Sequence, residues 1–382
     1  MSEVGLRRTD REGRSVPCRS ARVALLLTIG LLLGSGSGAQ ETAPPAAAEG
    51  VWMSRAEVRA LPMEGAAWEA LVAASSESTS SPDLSDQDDP TNVRVLAKAL
   101  VHVRRGDPLL RDEVLEALAA VRGSEQGATA LAVSRELMAY VIAADLVALE
   151  GVARAEFDSW LRDLRLQPFG GRTIRSTHED RPNNWGTHAG ATRIAVALYL
   201  DDAVELQRSA EVFRGWVGEP GGWNGFRFGG DDWQAGPPVE YAVNPAGATR
   251  EGHSIDGVLP DDQRRGGAFQ WPPPRENYVY EALQGAVVQA VLLERGGYGE
   301  VWEWGDRAIL RAFHWLHDQA DYPAQGDDTW IPHLVNRAYG SEFPASVPTR
   351  PGKGMGFSDW SHGFATGASV GDEESYPPPV LR

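Results

Sequence analysis

The chain has 382 residues, with 53 acidic against 36 basic side chains and a formal net charge of -17. That balance excludes a generic nucleic-acid or anionic-membrane binder, whose affinity comes from many phosphate contacts. A single cysteine, Cys18, excludes a disulfide framework within the chain.

Residues 1–39 read as a secretory signal. Arg7, Arg8, Arg11, Arg14, Arg19 and Arg22 precede an apolar run over 23–33, and Ser37-Gly38-Ala39 supplies the small residues that signal peptidase prefers. The run falls well short of the roughly 20 residues a spanning helix needs. The expected location is secreted or periplasmic, with no membrane association after cleavage. Cys18 departs with the signal, and cysteine-based catalysis with it. Residues 40–50 are Ala/Pro-rich and read as a disordered mature start.

Ser54, with Glu57 three residues on, signals a capping box opening a helix over 54–74. A Ser/Asp/Pro loop follows to residue 90. Apolar spacing then predicts helices over 91–105 and 109–121, joined by Gly106-Asp107-Pro108, a long buried helix over 128–149, and another over 156–166. A further hairpin spans 184–200 and 201–217. Between 218 and 271 periodicity fades into Gly, Pro and Trp, and a loop this long in a compact domain is usually functional or disordered. Its aromatics, including Trp223, Trp233 and Tyr241, favour order. Helices are predicted again over 278–295, 301–320 and 327–339.

Strand signals are scarce, so the fold class expected is all-α, one domain over 51–365, with an irregular tail over 366–382. Repeated helical hairpins closing on themselves make an α/α toroid, an incomplete helical barrel with long irregular loops; an open solenoid is the alternative. The chain holds 13 Trp and 9 Tyr, a composition that suits stacking on sugar faces as well as filling a helical core.

Two stretches concentrate polar chemistry at loop-to-helix junctions, where scaffolds usually present functional groups. One is Asn183-Asn184-Trp185-Gly186-Thr187-His188. The other runs from Arg250 through His253, Asp256, Asp261, Asp262, Arg264, Arg265 and Trp271 to Tyr278 and Tyr280. With Asp256-Gly257-Val258-Leu259-Pro260 and Ala282-Leu283, these segments resemble the alginate lyase superfamily, the α/α-toroid polysaccharide lyases. Trp330-Ile331-Pro332, Asn336-Arg337-Ala338-Tyr339-Gly340 and Gly356-Phe357-Ser358-Asp359-Trp360 are similar to later segments of bacterial lyase-like members. The resemblance spans about 181–362.

It implies metal-independent β-elimination from a uronic-acid polysaccharide: a base takes the C5 proton, the carboxylate is neutralised, and an acid protonates O4. Asn184 matches the family's carboxylate-contacting asparagine, Arg265 its arginine and Tyr278 its catalytic tyrosine. Where classical members have a histidine after the asparagine, this chain has Trp185. The nearest histidine is His188, one helical turn on and on the same face. Trp271-Pro272-Pro273-Pro274 lengthens the Arg-to-Tyr interval and leaves Tyr278 and Tyr280 in competition. Trp185, His253, Asp256, Trp271 and Trp360 are the candidate substrate contacts.

Each residue also has a plainer role. Asn184 would serve as a helix cap, His188 as a hydrogen-bonded helix histidine, Arg265 as an ion-pair partner of Asp261 or Asp262, and one of the two tyrosines as core. Competing functions are a glycoside hydrolase using two of Asp256, Asp261 and Asp262, and a non-catalytic envelope glycan binder. The histidines lack metal-site spacing, so neither metal nor cofactor is expected. The expected partner is an acidic polysaccharide; nothing in the sequence fixes the oligomeric state.

Overall fold

Ser54 opens the first helix with the expected reciprocal cap: its Oγ accepts from the Glu57 N–H while the Glu57 carboxylate accepts from the Ser54 N–H. The computed structural model describes residues 48–236 and 239–363, which fall within one compact unit, Pro44–Arg382. The signal over 1–39 and the tail over 366–382 lie outside the described residues. Residues 48–50 do not fit a disordered start, because Arg295 holds the carbonyls of Glu49 and Gly50 and accepts from the Ala48 N–H.

In chain order the helices are α1 (Arg55–Ala60), α2 (Ala66–Ser75), α3 (Thr91–Arg105), α4 (Pro108–Ala120), α5 (Ala130–Leu146), α6 (Gly151–Leu164), α7 (Ile174–Asp180), α8 (Asn184–Tyr199), α9 (Ala203–Trp216), α10 (Pro260–Gln263), α11 (Asn277–Arg295), α12 (Trp304–His314), α13 (Ile331–Tyr339) and α14 (Ser358–Ser361). Helix accounts for 55% of the structure and strand for 2%, which makes it all-α.

Three boundaries depart from expectation for local reasons. The helix expected over 54–74 is two, because Leu61, forced extended before Pro62, and Gly65 at φ 90 interrupt it. The helix expected over 301–320 divides into a 3-10 turn (Val301–Glu303), α12 and a π turn (Trp315–Gln319). Helix α7 was not foreseen, although Thr173 and Ser176 cap it reciprocally. In the long loop, β1 (Thr249–Arg250) and β2 (His253–Ser254) pair antiparallel across Glu251-Gly252, both with positive φ, as a two-residue hairpin turn requires.

Helices α5, α8 and α11 are buried along nearly their whole length. Packing runs from α2 to α3, α5, α8, α11, α13 and α14, and α14 meets α2 again; α4, α9 and α12 pack against α3, α8 and α11. Glu281 lies beside His188, and a Cβ on Gly285 or Gly190 would strike Thr187 or Gln289, so α8 and α11 run in the same direction. Their N-termini therefore open at one end, with Asn184 on one and Tyr278 on the other.

Candidate active site

The N-terminus of α8 is built by α10. Asn183 is the cap: its Oδ1 accepts from the Trp185 N–H at 3.2 Å, and its Nδ2 donates to Asp261 Oδ2 at 2.8 Å. The Asn184 N–H donates to Asp262 Oδ1 at 3.1 Å. Asp262 thus satisfies a free N–H of the helix start, while Asp261 fixes the capping side chain. Asp262 is fully buried, and burial holds its carboxyl well above the usual range. Capping by Asn183 leaves the Asn184 side chain free of that duty, which removes its plainer role.

The turn after α10 returns Arg265 to this point. Arg264 takes the ion pair, 2.9 Å to Asp261, the reverse of the pairing that would have occupied Arg265. Arg265 instead places Nη2 3.5 Å from Asn184 Oδ1 and its guanidinium 4.0 Å from the centre of the Tyr278 ring. Residues distant in sequence thus converge as an amide, a guanidinium and a phenol. Asn184 is wholly buried beneath them, and its Nδ2 has no partner among the described residues.

The tyrosine competition is decided by burial. Tyr278 is 40% exposed, whereas Tyr280 is 0% exposed, donates its hydroxyl to the Tyr322 carbonyl at 2.8 Å and has its pKa raised by desolvation. Tyr280, a catalytic candidate by sequence, is therefore core. His188 does sit one turn below Asn184, but it is only 2% exposed. Desolvation, reinforced by Arg135, holds its pKa well below the usual value, so the ring is neutral at physiological pH. Its Nε2 lies 3.9 Å from Glu281 Oε2, without a hydrogen bond, and Glu281 itself pairs with Arg135.

Of the candidate substrate contacts, His253 and Trp271 stack at 4.3 Å with planes 10° apart, both half-buried, and Trp185 is half-buried beside Asn184. Asp256 does not face a ligand freely: Arg311 holds it at 2.6 Å and it accepts from the Gly247 N–H. Trp360 is a correction. It is fully buried, packs on Trp68 at 5.5 Å between ring centres and donates to the Pro62 carbonyl at 2.9 Å, fastening the end of the domain to its beginning.

Sequence reasoning passed over the buried ion pair of Arg135 with Glu281 and the adjacent Glu136. The signal was present as adjacent Arg135 and Glu136 in the middle of a mostly apolar helix, a placement almost never tolerated unless paired or functional. Among the described residues no group of three or more His, Cys, Asp or Glu is placed to hold a metal ion.

No protein-family model matches the chain, and a search of curated proteins finds no match.

Proposed function

We propose that the protein is a polysaccharide lyase acting on a uronic-acid polymer by β-elimination. The observation that carries this is the convergence of Asn184, Arg265 and Tyr278 at the shared opening of α8 and α11. The three supply what elimination needs: a cation for the carboxylate, a buried amide that orients that cation, and a phenol to move a proton.

On this reading Arg265 binds the uronate carboxylate while Asn184, buried beneath it, orients the guanidinium through its Oδ1, and the paired cation lowers the cost of carbanion-like charge at C5. The Tyr278 oxygen, as phenolate, takes the C5 proton. The C4–O4 bond breaks as the C4=C5 double bond forms, and the same oxygen returns the proton to O4. The burial of His188 favours one tyrosine as both base and acid. The circuit of helix packing supports an α/α toroid as the scaffold, and the secreted or periplasmic location belongs to the same proposal.

The hydrolase alternative finds less support, since Asp261 is tied to Asn183, Arg264 and the Gly229 N–H, Asp262 is sealed, and Asp256 is paired. Mass analysis of a polyuronate digest separates the two. Elimination gives one fragment that is lighter by a water than its hydrolytic counterpart; hydrolytic masses alone would refute the lyase.

A further inference from the structure

A cavity of about 280 Å³ lies between the start of α3, one face of α5 and the segments around Asp327 and Lys353, and it shares no residue with the Asn184 cluster. Glu136, on α5, forms part of its wall. That side chain is 2% exposed, and its Oε2 has no hydrogen-bond partner among the described residues. One turn on, the Tyr140 hydroxyl is likewise buried and unpartnered. An orphaned buried carboxyl is costly and calls for an explanation, of which a ligand is one.

The charges around the cavity largely satisfy one another. Lys353 Nζ pairs with Asp88 at 2.6 Å, Arg94 lies 3.8 Å from Glu77, and Asp89 is consumed by the N–H groups of Asp83 and Thr91 and by the Thr91 hydroxyl. Desolvation holds the Glu136 carboxyl well above the usual range. What remains is a wall with little net charge, mixing hydrogen-bonding groups with the apolar surfaces of Pro90, Val93 and Phe357. Ligand pockets for larger organic molecules are usually about 300–1,000 Å³, so a single ring is the size that suits.

We propose that this cavity binds one neutral, hexose-sized sugar ring, with Glu136 hydrogen-bonded to a hydroxyl and Pro90, Val93 and Phe357 against the ring's apolar face. A charged sugar would have to break the Lys353–Asp88 pairing or rely on Arg350 or Asp327 at the more exposed rim, where solvent screening leaves an ion pair worth little. The site does not depend on the lyase reading.

The test is titration of the full chain, by calorimetry and ligand-observed NMR, with glucose, galactose, mannose and N-acetylglucosamine, and with glucuronate and glucosamine as charged comparators. At least one neutral sugar should saturate with a Kd of about 1 mM or below, about tenfold tighter than either charged one. Glu136→Leu should weaken binding at least tenfold without lowering Tm, because it removes an unpaired buried carboxyl. Should that variant not fold, Asp327→Asn should weaken binding severalfold, because Asp327 lines the more exposed rim as a second carboxylate to accept from a ring hydroxyl. Tyr278→Phe should bind the sugar as the parent chain does, which keeps this site separate from the elimination chemistry. No saturation by any neutral sugar at about 30 mM, equal binding of charged sugars, or undiminished binding by a folded Glu136→Leu or Asp327→Asn variant would overturn the proposal.

Discussion

Tyr278 and Tyr280 differ by two positions on one helix, and that difference separates an exposed phenol from a packed one. Tyr278→Phe removes only an exposed hydroxyl, so Tm should stay within a degree or so while activity on a polyuronate falls about 10²- to 10⁴-fold, the usual loss of a positioned acid or base. Tyr280→Phe should do the opposite: the orphaned Tyr322 carbonyl costs about 1 kcal/mol in chemical denaturation, and turnover stays near normal. Arg265 was legible as a candidate from its motif. Which of two adjacent arginines would be free was not, because the answer depends on Asp261 arriving beside Arg264 through the docking of α10 on α8. Trp360 misled for the converse reason: a tryptophan near a motif reads equally as platform or core, and only its contacts with Trp68 and Pro62 decide.

At the scale of elements, the candidate site depends on the close approach of α8 and α11. A Cβ on Gly285 would meet Thr187 carbonyl carbon at 2.4 Å, backbone that cannot swing aside. Gly285→Ala should therefore push the helices apart, costing about 1–3 kcal/mol as overpacking does. It should also lower activity although the residue lies two turns from Tyr278. Urea unfolding and turnover measured on one sample check both effects; a fully stable, fully active variant would show that the approach is not needed. The long, strongly periodic helices were legible, since apolar spacing alone fixes which stretches bury a face. Their interruptions were less so. The break before Pro62 follows from a rule visible in sequence, but α7 is only seven residues and carries too short a pattern to stand out.

Over the whole molecule, stability depends on groups that burial keeps uncharged. Asp328 has its pKa raised from 3.8 to about 8 by desolvation, and Asp262 and Glu136 are shifted in the same direction. Each holds its proton in the folded state at a pH where the unfolded chain has lost it. Their contribution is therefore full at acid pH and fades as pH rises, for Asp328 through about 8. His178 and His188 act oppositely: their folded pKa values lie well below 6.5, so stability is lost as pH falls below that value. The two effects oppose each other below about 6.5, and only the carboxyls act above it. Tm should decline from pH 6.5 to 8, and Asp328→Asn should flatten that decline, a single group accounting for about 2 kcal/mol at most. An unchanged slope in the variant would refute the assignment. None of this was legible from sequence, because a buried carboxyl and an exposed one are written with the same letter.

The most direct test of the central claim is ultraviolet absorbance during incubation with mannuronate- and guluronate-rich alginates and with glucuronan, using Tyr278→Phe as the paired control. Elimination conjugates a new double bond to the carboxylate, so absorbance should rise with the parent chain and hardly at all with the variant. New reducing ends without any rise in absorbance would contradict the lyase reading and leave hydrolysis in its place.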